Sequence, residues 1–180
     1  MPLTLPLQEL LDVTACAGIT VERTDRENAN LYAWVSADRE QVLYIGKAAS
    51  KRRIEEENDW KEKSDHNTGL HSAIVPLLRT QEGQNVPLRV DPDSFDRSAV
   101  PKIIERYEWK GTAIDTALKE LPSIHMDSEM VEKVLIRIAV RMGRLIGNSQ
   151  FASQWETPIG KTYDTVAHFA IHGAEDKGLL

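Results

Sequence analysis

Four basic residues stand close together in one stretch of the chain, Lys47, Lys51, Arg52 and Arg53, with no acid between Lys47 and Arg53. A run of that kind suits an anionic ligand. The guanidinium in particular is a planar fork, always charged, that matches the oxygens of a phosphate. Just upstream, Tyr32 and Tyr44 sit in two apolar runs, Leu31-Tyr-Ala-Trp-Val35 and Val42-Leu-Tyr-Ile45, separated by the polar stretch Ser36 to Gln41. Far downstream lie Glu132, on the flank of an apolar stripe, and Asn148, directly after a glycine. Groups of these kinds can between them contact an anion, a cation and a water. Another pair, His168 and His172, is four residues apart and falls on one helix face. That is metal-ligand spacing, although no glutamate follows His168 as in zinc proteases. His66, His71 and His125 read as surface or packing residues. Glycine-rich phosphate loops, paired CxxC motifs and serine-hydrolase elbows are absent from the sequence.

The elements that must position these groups are legible from periodicity. The two apolar runs with a short polar join read as a β-hairpin. Alternation along the strands puts Leu31, Ala33 and Val35 on one face with Leu43 and Ile45, and both tyrosines on the other. A turn centred on Asp38 sets Tyr32 directly across from Tyr44. Ala48 to Glu57 reads as a helix carrying the arginines. Asp127 or Ser128 caps the strongest helix, whose stripe is Met130, Val131, Val134, Leu135, Ile138 and Met142. Leu5 to Ala17 is a further helix. Val21 to Asn28 reads as a loop. Ser98 to Tyr107, Gly69 to Thr80 and Thr112 to Leu121 read as helices, and Val166 to Ile171 as a short last one. Val86 to Val90, Ser123 to Met126 and Phe151 to Trp155 suggest short strands. Gly173 to Leu180 reads as loose.

A chain of 180 residues forms one domain with a core able to stand alone. Its hydrophobic fraction of 41% and charged fraction of 28% are those of a globular protein. No stretch is long and apolar enough to span a bilayer, and no leader pattern opens the chain, so no membrane partner and a cytoplasmic location are expected. Cys16 is the single cysteine, which excludes an internal disulfide and fits a reducing compartment. The net charge of -6 weighs against nucleic acid, but a local basic patch binds phosphate whatever the total.

In order along the chain, these motifs resemble the GIY-YIG nucleases. The family hairpin carries Gly-Ile-Tyr and Tyr-Ile-Gly; here stand Asn30-Leu31-Tyr32 and an unaltered Tyr44-Ile45-Gly46. The second motif continues as Gly46-Lys47-Ala48, and Arg53, before Ile54, matches the family arginine, with Arg52 as the alternative. Glu132-Lys133-Val134-Leu135-Ile136 and then Leu145-Ile146-Gly147-Asn148 match the later glutamate helix and asparagine. Two departures stand out: Asn30 replaces the first glycine, and Glu57 occupies a position that often holds His or Tyr. The resemblance implies an α/β (α+β) fold, a small antiparallel β-sheet flanked by helices. Its core spans about residues 28–57 and 122–156, with a helical insertion at about 60–121 in a single domain 1–180. It implies metal-dependent hydrolysis of DNA phosphodiesters; a restriction or defence role is preferred because the chain is short and carries no obvious separate DNA-binding domain. Tyr32 is then the general base, Tyr44 orients the water, and Arg53 holds the phosphate. Glu132 holds Mg²⁺ or another divalent cation, and Asn148 fixes the geometry. Lys47 and Arg52 contact the substrate. A homodimer is one way to cut both strands. The alternative is a catalytically inactive module of this fold that binds nucleic acid or protein.

Overall fold

The computed structural model describes residues 5–27, 29–35, 39–48, 51–58, 103–109, 127–144, 146, 148 and 156–180. Within them the fold is α+β. A five-stranded antiparallel sheet is built from β1 (Leu5–Pro6), β2 (Val21–Arg23), β3 (Leu31–Val35), β4 (Gln41–Lys47) and β5 (Ile103–Trp109). Their order across the sheet is β1-β4-β3-β5-β2. The helices are α1 (Leu7–Ala15), α2 (Lys51–Asn58), α3 (Ser128–Arg141) and α4 (Pro158–Asp176).

The hairpin β3–β4 is the middle of the sheet, and its register differs from the expected one. Tyr32 pairs with Gly46 and Trp34 with Tyr44, so the two tyrosines are diagonal neighbours. The register shifts between Trp34 and Val35, which leaves Leu43 as an extra residue on β4. Such a bulge turns two successive side chains toward one side. Val42 and Ile45 therefore point into the main core, while Leu43 joins Tyr32 and Trp34 on the other face. The expectation that Leu43 shares a face with Ile45 fails for that reason.

The main core lies on the face bearing Leu31, Ala33 and Val35. Leu10 and Val13 of α1 meet Val131, Val134, Leu135 and Ile138 of α3 and Val166, Ala167, Ala170 and Ala174 of α4 there. Among the described residues the opposite face is smaller: Tyr32, Trp34 and Leu43 are covered by Ala29, Ala48 and, from α2, Ile54. Each large apolar side chain so buried contributes about 1.5–3 kcal/mol.

Three elements depart from the sequence reading. Val21 to Arg23, expected in a loop, is edge strand β2, whose Glu22 and Arg23 are exposed. Edge strands tolerate charge, so no apolar run marks it. Ile103–Trp109, expected within a helix from Ser98 to Tyr107, is β5, hydrogen-bonded between β3 and β2. Its alternation is hidden because Glu105 takes a core-facing position. That carboxylate is 5% exposed and accepts the Tyr107 hydroxyl at 2.7 Å, with Arg23 and Arg39 at 3.5 and 3.6 Å. Burial, and then the neighbouring Glu105, push the Tyr107 phenol up. The last helix is much longer than Val166 to Ile171. It starts at Thr157, whose hydroxyl accepts the Gly160 N–H at 3.1 Å, with proline in its first turn. It runs through Gly173, part of the tail expected to be loose. A Cβ on Gly173 would stand 3.3 Å from that of Cys16, so this glycine serves close approach of α4 to α1. The readings for 69–80, 86–90, 112–121, 123–126 and 151–155 lie outside the described residues.

The α3–α4 contact is pinned by Asp164, which accepts Arg141 Nε and Nη2 at 2.6 and 2.7 Å and Arg137 Nε as well. Arg141 first, then Arg137, holds the Asp164 carboxyl well below the usual carboxylate range. A lowered folded-state pKa gives stability that is full above the unfolded value near pH 4. It is lost as pH falls toward the folded value. Asp164→Asn should therefore cost about 1–2 kcal/mol at pH 7. Urea midpoints of parent and variant should converge as pH drops from 4 to 2; a gap that stays constant would remove this role from Asp164.

Candidate functional site

Strand β1 covers β4 only at Gln41 and Val42, with the Leu7 N–H on Glu40 O beyond. Further along, the outer edge of β4 has no strand partner among the described residues, and its backbone polar groups at Ile45 and Lys47 need partners. Asn148 and Glu132 supply them. The Asn148 carboxamide accepts the Ile45 N–H at 2.8 Å and donates to the Ile45 carbonyl at 2.7 Å, pairing as a neighbouring peptide would. Asn148 is 0% exposed. Two residues on, Glu132 Oε1 accepts the Lys47 N–H at 3.0 Å. Residues separated by a long span of sequence thus meet the strand that carries Tyr-Ile-Gly.

Glu132 is delivered by the cap at Asp127, whose carboxylate accepts the Met130 N–H at 2.9 Å and starts α3. The residue is 8% exposed, between Val131 and Lys133. Burial pushes its carboxyl up, against the pull of Lys133, the Lys47 N–H and the Lys47 ammonium. Its second oxygen lies 3.6 Å from Lys133 Nζ. The Lys47 side chain pairs with Glu129, one turn earlier on α3, and that bond raises the ammonium. Lys133 and Glu129 were not singled out in the sequence, and neither was Tyr163. The Tyr163 phenol is pushed up by burial first, then by the charges of Glu129 and Asp127. The only signal for these three was proximity to Glu132 on α3, or a place on a helix whose length was underestimated.

Gly46, between the two edge contacts, explains where Tyr32 sits. A Cβ there would lie 2.2 Å from Tyr32 Cζ and 2.4 Å from its hydroxyl oxygen. The Tyr32 ring lies across the bare Gly46 backbone, and only glycine permits it. The Tyr44 ring is 6.2 Å away, tilted by 31°. Tyr32 is 1% exposed, whereas Tyr44 is half-buried. Arg53 is half-buried on α2, beside Ile54, which packs in the Tyr32 cluster; Arg52 is exposed. Of the predicted residues, Glu132, Asn148, Lys47 and Tyr32 gather around Ile45, Gly46 and Lys47. Tyr44 adjoins through the ring contact, and Arg52 and Arg53 stand on α2, which packs against the Tyr32 cluster through Ile54. The side chain of Glu57 lies outside the described residues.

Among the described residues no three His, Cys, Asp or Glu side chains group closely enough to enclose a metal, and no helix is long and apolar enough to cross a membrane. Comparison with known proteins gives no family model, no curated protein and no solved structure that matches the chain.

The edge contacts make two substitutions informative. Asn148→Ala leaves both Ile45 backbone groups buried without partners, a cost of about 3 kcal/mol. Asn148→Asp keeps the acceptor but sets a carboxylate against the Ile45 carbonyl, and should cost as much. Gly46→Ala should cost about 2 kcal/mol by overpacking and drive the Tyr32 ring away. Urea melts together with amide exchange at Ile45 check all three; unchanged protection at Ile45 in Asn148→Ala would overturn the edge assignment.

Proposed function

We propose that the chain is a metal-dependent DNA endonuclease of the GIY-YIG kind that hydrolyses phosphodiester bonds. The reading rests on one observation above the others. Glu132 and Asn148, distant in sequence, both bond the backbone of β4 at Lys47 and Ile45, flanking the Gly46 that underlies Tyr32. The order of motifs that suggested the family thus has a spatial counterpart.

Each group has work to do on a phosphodiester. Tyr32 takes the proton of the attacking water, and Tyr44 orients that water. Arg53 neutralises the phosphate with its fork of donors. Lys47 and Arg52 add positive charge along the substrate backbone, where affinity comes from phosphate contacts. Glu132 offers a single carboxylate, which fits Mg²⁺ because that ion uses one or two protein carboxylates and keeps water or substrate oxygens elsewhere. When bound there, the ion would stabilise charge on the phosphate and the departing oxygen. Asn148 holds β4 still. One such site cuts one strand, so cleavage of a duplex takes two copies or two successive nicks. The lone Cys16 suits the reducing cytoplasm, and restriction or defence is the role preferred.

A second reading has specific support: the same scaffold as a non-catalytic binder of nucleic acid or protein. Tyr32 is 1% exposed, and both oxygens of Glu132 already face positive or donor groups, the Lys47 N–H and Lys133.

Long DNA of diverse sequence, incubated with the protein and Mg²⁺, separates the two. The nuclease reading expects cleavage, lowered at least about 100-fold by Tyr32→Phe. It also expects cleavage to be abolished by Glu132→Gln. Because burial raises the Glu132 pKa, its ionisation works against folding as pH rises through that value. Glu132→Gln keeps the acceptor for Lys47, so it should be as stable as the parent at pH 7, or more stable by up to about 1 kcal/mol. Salt-dependent DNA binding with no cleavage in any divalent cation would establish the binder instead. Unimpaired cutting by Tyr32→Phe would reject the base assignment.

A further inference from the structure

Helix α4 carries a feature that the proposed nuclease does not use. His168 and His172 stand one turn apart on its outward face, both exposed. Their rings are nearly parallel, 10° between planes, with centroids 6.4 Å apart. One turn further, Glu175 Oε2 lies 3.5 Å from His172 Nδ1.

We propose that His168 and His172 form an open site for a borderline transition-metal ion of the Zn²⁺, Ni²⁺ and Cu²⁺ class. Neutral imidazole is the preferred ligand of these ions, at about 2.0–2.1 Å from Zn²⁺. Two nitrogens bound to one ion bring the rings somewhat closer than they stand here. Rotation about the exposed side-chain bonds closes that gap without moving the helix. Glu175 has the part of an outer partner: a proton held on Nδ1 by its carboxylate leaves Nε2 of His172 with its lone pair outward, which fixes the tautomer a metal needs. Waters fill the other positions, since the site is on the surface. The chemistry separates this site from Glu132. Mg²⁺ takes oxygen ligands and does not compete for imidazole, while the paired imidazoles favour Cu²⁺ over Ni²⁺ and Zn²⁺ by the usual stability order. The ion would tie two turns of α4, the helix that Asp164 fastens to α3.

Calorimetric titration of the untagged chain with Ni²⁺, in excess Mg²⁺, tests the site independently of any cleavage. The parent should bind an ion that is lost in both His168→Gln and His172→Gln, and Glu175→Gln should bind about tenfold more weakly. Cu²⁺ electron paramagnetic resonance should show coupling to two imidazole nitrogens in the parent and to one in either histidine variant. All three side chains are exposed, so circular dichroism should be unchanged. Binding that falls less than about threefold in both histidine variants, or that Mg²⁺ displaces, overturns the proposal.

Discussion

The arrangement depends on an uncovered strand edge. Beyond Val42, β4 runs on without a neighbouring strand on its outer side among the described residues, and its N–H and C=O groups there are satisfied by side chains. A buried amide left without a partner costs about 1–3 kcal/mol. Side chains finish the ladder. Asn148 is suited because a carboxamide both donates and accepts, reproducing the two bonds of a peptide. Glu132 is suited at Lys47 because only an acceptor is needed. The fold thus has its own reason to draw a helix and a following turn against this edge. Any chemistry there uses groups that stability already holds in place.

That double use has a cost located at Glu132. A carboxylate that closes a sheet edge must be desolvated, and burial lifts its pKa. Nearby charges offset this in part: Lys133 at 3.6 Å and, further off, Lys47, which is itself held by Glu129. A neutral side chain would satisfy the backbone with less strain on the electrostatics. Burying a carboxyl where an amide would do is a cost that the edge contact alone does not require. Asp164 is the contrast. Its carboxylate is embraced by two arginines and pulled down, and it needs no explanation beyond joining α3 to α4.

How much of this was legible in the sequence follows from which signals survive burial and charge. The hairpin was visible because its strands are almost wholly apolar, and α3 because its stripe and its Asp127 cap agree. The bulge at Leu43 was not visible, since an inserted residue leaves composition unchanged and shifts only register. β5 was misread because Glu105 occupies a core position in company with Tyr107, Arg23 and Arg39, which breaks the apolar alternation that marks a strand. β2 was missed because it is an edge with two charged residues. The start of α4 was written in Thr157-Pro158, a cap followed by proline, but the apolar centre at Val166 drew attention away from it. For the site, residue types and order pointed to Glu132 and Asn148. What they bond could not be read, because it depends on where β1 stops.

The bulge also bears on the site. Without the extra residue, Leu43 and Ile45 would point the same way and Tyr44 would turn from Leu43. With it, Leu43 and Tyr44 both turn toward the smaller core of Tyr32, Trp34 and Ile54, while Ile45 still anchors β4 in the larger one. The two faces then have different duties. One is filled by three helices and fixes the position of α3, hence of Glu132. The other is thin, covered among the described residues by α2 with Ala29 and Ala48, and it holds the phenols and the arginine-bearing helix. Gly46 stands where the faces meet the open edge, and its missing side chain lets the Tyr32 ring lie flat over the strand. The carboxylate anchored from one face and the phenols held by the other come together, among the described residues, at the edge of β4 beyond β1. Because β1 pairs with β4 only as far as Val42, the strand beyond it is left to the side chains of Asn148 and Glu132.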